Sequence, residues 1–247
     1  MMMNQQVYSF FWGAAVLVLF NSCGEDCLTG EGNRTREYRD AGAFNKLQTT
    51  LTGRILISQN NDLAANEVII EAQENVLQVL ETEVEDSTLQ IGINDFECLR
   101  EHKDIVITVE VKSIKAVTLF DLGRIETTNL ITGENFTVTV NGNAKADLLL
   151  NVKNLNTVMN GSGEITYRGE AQTHTISHNG PGSVRGYEMP VQSTRVTVND
   201  FGNSYVRGVQ SIEAEFNGDG NIFYLGSPAI STSGEGDGEV RKERLEQ

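Results

Sequence analysis

From Val117 onward, apolar residues recur in a two-residue alternation that restarts about every 19 positions. Aligned on one small residue per restart, the series is Gly123, Ala144, Gly163, Gly182, Gly202, Gly220 and Gly236, with spacings of 21, 19, 19, 20, 18 and 16. Six positions earlier stand Val117, Val138, Thr157, Ile176, Val196, Ala214 and Ile230, and four earlier Leu119, Val140, Met159, His178, Val198, Phe216 and Thr232. Two positions after the small residue come Ile125, Ala146, Ile165, Val184, Ser204 and Ile222. Such alternation belongs to strands with one buried face. A unit this short cannot bury that face alone and has to stack on copies of itself. The stacking that keeps equal positions above one another is an all-β, parallel β-solenoid (β-helix), with turns about 4.8 Å apart.

The corners of the coil read "NGSGEI" (160–165), "NGPGSV" (179–184) and "NGDGNI" (217–222). A phosphate-cradling G-x-G-x-x-G would need a third glycine, yet Thr166, Arg185 and Phe223 occupy that position. A strand also follows, so no helix N-terminus is available to hold a pyrophosphate. The glycines are therefore expected to serve geometry, through positive φ or close approach. Three positions before the small residue lie Asn141, Asn160, Asn179, Asn199 and Asn217, flanked by Phe120 and Ser233. Amides stacked in this way are expected to hydrogen-bond from turn to turn as a ladder.

Upstream, "LTGRILISQ" (51–59), "NEVIIEA" (66–72), "STLQIGI" (87–93) and "DIVITVEV" (104–111) carry strand patterns without a clean repeat. Apolar Val76, Leu77 and Leu80 suggest one short helix within 73–81. No Pro-rich or Ser-rich linker divides the chain, which points to a single domain over 38–240, less regular over 38–115 and regular over 116–240. The polar stretch 241–247 reads as a tail.

The first 22 residues change the picture. "FFWGAAVLVLF" (Phe10 to Phe20) is too short to cross a bilayer comfortably but suits the apolar region of a signal peptide. It ends at "FNSC", which resembles a bacterial lipoprotein box with Cys23 as the acylated first mature residue. The expectation is a signal peptide over 1–22, membrane attachment through lipid on Cys23, and a linker over 23–37, giving an exported outer-membrane lipoprotein on the periplasmic or surface face. In that oxidising compartment Cys27 and Cys98 either form a disulfide or remain as two thiols. With 19 basic and 34 acidic residues the formal net charge is -15, which repels nucleic acid.

Candidate chemistry is sparse. Neither Cys27 nor Cys98 has the C-x-x-C spacing of a zinc or redox site. His174 and His178 would stand about 13 Å apart along an extended strand, too far to share a metal, and His178 falls in an inward column. Asp219, Glu235 and Asp237 do not recur at fixed positions in each turn, as a calcium repeat would require. No cofactor or metal is expected. Acidic candidates for glycan cleavage, Glu126, Asp147, Glu164, Glu213 and Glu215, are spread over different turns. Tyr167, Tyr187, Tyr205, Phe223 and Tyr224 follow the corners and would suit either contact with a glycan or protein ligand or packing at the ends of the turns.

The combination of "FNKLQTTLTGRILISQ" (44–59), "AQENVLQVLETEVEDSTLQIGI" (72–93) and the "GSGEI" repeats resembles the family described as putative auto-transporter adhesin, head GIN domain. The resemblance covers about 38–240. It implies a right-handed β-helix on a cell-envelope lipoprotein, adhesion as its role, and no catalytic residue. The expected function is a non-enzymatic, adhesin-like or structural binding module, with a glycan-active lyase or hydrolase as the alternative. Feeding cells a radioactive fatty acid is expected to label the wild-type protein and to leave Cys23→Ala unlabelled; label retained in the variant would refute the anchor.

Overall fold

The structure, a computed structural model, describes residues 27–94 and 98–244. Cys23 and the segment expected to be a signal peptide lie outside the described residues. The chain is an all-β solenoid of about seven turns of about 19 residues. Four long strands, Lys145–Met159, Glu164–His178, Ser183–Val198 and Asn203–Phe216, form its middle, each alternating buried and exposed side chains along most of its length. They pair in parallel, so Ala146, Ile165, Val184, Ser204, Ile222 and Val240 make one inward column. Val138, Thr157, Ile176, Val196, Ala214 and Thr232 make another.

Thr232 in that column marks a correction to the last turn. Alignment on Gly236 put Ile230 beneath Ala214, whereas Ile230 pairs with Ile212. Glycines 234, 236 and 238 alternate, so the wrong one can be chosen, and a shift by two leaves every side chain on its proper face.

The N-terminal third departs from chain order. Lys46–Thr49 and Arg54–Gln59 lie between Ala116–Thr127 on one side and Thr88–Ile93 with Val106–Val111 on the other. Two antiparallel additions close this end: Glu67–Gln73 on Val106–Val111, and Leu80–Glu85 on Thr88–Ile93. Arg34–Arg39 then adds antiparallel to Glu67–Gln73. Both outer strands, "RTREYR" and "LETEVE", are studded with charges that discourage further strand pairing. The expected helix shrinks to one turn, Glu74–Leu77, because the chain must reverse at once into the strand beginning at Leu80. Val76, Leu77 and Leu80 are nonetheless buried. From Cys27 on, the segment expected as a linker belongs to this end, since Cys27 and Cys98 are joined as a disulfide and Leu28–Thr29 pairs with Leu99–Arg100.

Two features hold successive turns in register at the corner. Asn160 donates to Asn141 at 2.8 Å, Asn179 to Asn160 at 2.8 Å, Asn199 to Asn179 at 2.7 Å and Asn217 to Asn199 at 2.8 Å. Beside this ladder the backbones nearly touch. A Cβ on Gly161 would lie 2.0 Å from the Gly142 carbonyl oxygen, and one on Gly163 would lie 2.1 Å from that of Ala144. Close approach, not positive φ, demands glycine at both positions. A second ladder at the next bend has Asn154 donating to Asn135 and Thr173 to Asn154, each at 2.9 Å. Gly163→Ala is expected to destabilise the fold by about 2 kcal/mol or more. Asn179→Ala, which breaks two ladder bonds, is expected to cost about 2 kcal/mol. Urea unfolding reads both, and an unchanged midpoint in either would refute the account of that contact.

Candidate ligand-contact surface

Parity along the strands divides the aromatic residues. Tyr167 lies two residues after inward Ile165 and is fully buried, at 0% exposure. Its position corrects the expectation of a ligand-contact ring. The Tyr167 hydroxyl and Thr157 Oγ1 are 2.7 Å apart, and Thr157 Oγ1 lies 2.8 Å from His174 Nε2, with the Tyr167 and His174 rings edge to face at 5.3 Å. Thr157 thus stands in an otherwise mostly apolar column because it partners two polar rings inside the coil. Burial raises the Tyr167 hydroxyl well above its ordinary pKa. Tyr224, two residues after inward Ile222, also packs against the core.

Tyr205 and Phe223 follow inward residues by one and face outward. Their rings stack at 5.1 Å with a 14° interplanar angle. The Arg185 guanidinium lies 4.9 Å from the centre of the Tyr205 ring, one turn away. Tyr187 meets Tyr205 edge to face at 5.6 Å. A bulge puts it there: Gly186 pairs with Val206 and Pro190 with Arg207, so Tyr187, Glu188 and Met189 have no counterpart in the following turn. The Tyr187 hydroxyl donates to Glu243, and partial burial together with that carboxylate raises its pKa. Arg185 and the bulge escaped the sequence reading. The trace they leave there is the spacing of 20 between Gly182 and Gly202.

Most of the acidic candidates for glycan cleavage are paired with cations. Glu126 contacts Arg54 at 2.6 Å and Arg124 at 2.5 Å, Asp147 contacts Arg168 at 2.8 Å, and Glu164 contacts Arg185 at 3.3 Å. Glu213 pairs with Arg195, and Glu215 accepts a hydrogen bond from Thr197. Glu126 and Asp147 are neighbours on successive turns, but hydrogen bonds from Arg54 and Arg124 hold Glu126 below the ordinary carboxylate pKa. That is the wrong direction for a general acid at neutral pH. Among the described residues, no group of three or more His, Cys, Asp or Glu is placed to hold a metal.

His178 is buried and bridges two turns. Its Nε2 lies 3.0 Å from the Gly182 carbonyl oxygen and its Nδ1 3.1 Å from Ser204 Oγ. Because a carbonyl only accepts, the neutral ring is assigned with Nε2–H donating to Gly182 and Nδ1 accepting from Ser204. This explains the serine in an apolar column.

The family described as putative auto-transporter adhesin, head GIN domain, matches residues 43–228. The chain belongs to this family. The head GIN coil is also similar to a solved structure described as a putative adhesin from Bacteroides fragilis NCTC 9343. That likeness is 23% identical, covers 87% of this chain and 100% of the other, and has a TM-score of 0.80. A putative lipid binding protein from Parabacteroides distasonis ATCC 8503 is 19% identical over 88% and 99% of the two chains, with a TM-score of 0.73. A putative adhesin from Parabacteroides merdae ATCC 43184 is 19% identical over 89% and 100%, with a TM-score of 0.66. At these identities the likeness is one of fold. No curated protein matches the head GIN chain.

The buried histidines predict an acid limit for this domain. Burial lowers His174 from 6.5 to about 3. His178 is lowered as well, burial outweighing the Gly182 hydrogen bond and the Asp200 charge. The unfolded chain therefore takes up protons near pH 6.5 that the folded chain refuses, so stability is complete above that pH and falls as the solution is acidified. Between about pH 6 and about pH 5 the unfolding free energy is expected to drop by about 1 kcal/mol on account of His174, with His178 adding in the same direction. Urea titrations of wild type and His174→Gln check this; equal slopes would refute the assignment to His174.

Proposed function

We propose that this chain is an exported binding module of the cell envelope, anchored by lipid on Cys23, that presents the outward strip of Arg185, Tyr187, Tyr205 and Phe223 to a glycan or protein ligand. The observation that carries the reading is the strip itself. Rigid rings half-exposed on a regular surface provide contact area with little conformational entropy to lose, and a guanidinium stacked on one of them adds a polar handle. The family's description as an adhesin supports an exported or surface role.

The geometry of the coil supports the anchoring half of the proposal. Cys23 lies four positions before Cys27, which is bonded to Cys98 at the antiparallel end. From the row containing Val106, six parallel steps lead through Arg54, Arg124, Lys145, Glu164 and Ser183 to Asn203. At about 4.8 Å per step, the strip stands roughly 29 Å from that end. A membrane-held chain would thus display its aromatic strip away from the anchor. The glycan-cleaving alternative draws no comparable support, because Glu126, Asp147, Glu164 and Glu213 are held in ion pairs.

Tyr205→Ala combined with Phe223→Ala tests the strip. In a binding screen of the purified chain on a glycan array and on envelope-protein extracts, at least one signal seen for wild type is expected to weaken by about tenfold or more. The melt should remain cooperative, with about 1 kcal/mol lost for the ring stack. Unchanged binding of every such ligand in the folded double variant would refute the strip as the contact surface.

A further inference from the structure

Past the bulge, where each turn bends again, the outer surface sinks into an open trough of 570 Å³ running along the coil axis. Its construction follows from the register. Gly133, Val152 and Ala171 lie in line on successive turns and form a floor of small groups, with Val152 and Ala171 almost wholly buried. Thr132, Asn151 and Glu170 stand in line along one side. Lys153, Gln172 and Gln192 rise from the other, and Pro190 lies at the far end.

The hydrogen-bonding inventory of these walls is incomplete within the molecule. Asn151 donates to one Glu170 oxygen at 2.7 Å, which leaves the amide oxygen of Asn151 and the second carboxylate oxygen as acceptors. Lys153 is turned to Glu134. The amides of Gln172 and Gln192 have no partner among the described residues. The trough therefore offers donors and acceptors in pairs, above a floor from which no side chain projects, repeated at the spacing of the turns.

That combination selects among ligand classes. A linear sugar polymer has the matching form, with hydroxyls along its rims and the same groups repeated from unit to unit. Side-chain amides and a carboxylate can donate to and accept from neighbouring hydroxyls at once. A peptide added as a strand is disfavoured, because Lys145–Met159 and Glu164–His178 are already paired on both sides and have no free edge. A polyanionic glycan would face Glu170 and a chain of net charge -15.

We infer that this trough binds a linear, uncharged oligosaccharide lying along the coil axis across successive turns, at a site separate from the aromatic strip. The inference rests on the reading of the chain as a binding module, but not on the strip.

Calorimetry on the full chain tests it with xylohexaose, mannohexaose and chitohexaose, and with oligogalacturonate as the charged comparison. At least one neutral hexasaccharide is expected to bind, and Gln172→Ala combined with Gln192→Ala should weaken it by about tenfold or more. Both glutamines are exposed and unpartnered, so the melt of this variant should match wild type. Tyr205→Ala combined with Phe223→Ala should leave that affinity unchanged. Loss only in the strip variant would assign the sugar to the strip and overturn the trough. Binding that survives both variants, binding of oligogalacturonate alone, or no heat with any probe at millimolar concentration would also overturn it. The strip proposal fails separately, on its own array result.

Discussion

Each turn of this coil must sit on its neighbour at the spacing of a parallel sheet, and the rest of the structure depends on that constraint. Backbone hydrogen bonds impose it along the faces. At the corners it brings carbonyls so close to the next turn that Gly161 and Gly163 have no room for a Cβ. The asparagine ladder beside them uses the same repeat, since an amide can both donate and accept and so link an indefinite series of identical positions. The coil is thus rigid because any change in pitch would break backbone pairing, amide pairing and glycine contact together.

Inside the coil the same stacking makes polar side chains costly unless they find one another. Thr157, Tyr167 and His174 do so, and His178 does so with Ser204 and Gly182. Each group interrupts an apolar column at a position where the interruption is matched by a partner. Burial of these two histidines disfavours their charged forms and holds both below the ordinary imidazole pKa.

Outside the coil, regularity makes departures informative. A bulge in one turn lifts Tyr187 onto the Tyr205 ring, and small side chains at a bend leave a trough between two polar walls. Ion pairs between turns, such as Asp147 with Arg168 and Glu164 with Arg185, occupy acidic groups that an unpaired arrangement would have left available for proton transfer.

Much of this was legible along the chain. The 19-residue alternation carries the solenoid, the inward columns and the asparagine line, because a stacked repeat turns sequence spacing directly into spatial neighbours. Parity also distinguishes inward Tyr167 and Tyr224 from outward Tyr205 and Phe223, provided that residues are counted from the inward column and not from the corner. The tertiary structure alone decided the rest. It placed Lys46–Gln59 between segments that follow it in the chain, closed that end with antiparallel strands, and lifted Tyr187 onto the Tyr205 ring through a bulge. Those outcomes depend on antiparallel closure and on a bulge, and neither has a period that a sequence can display.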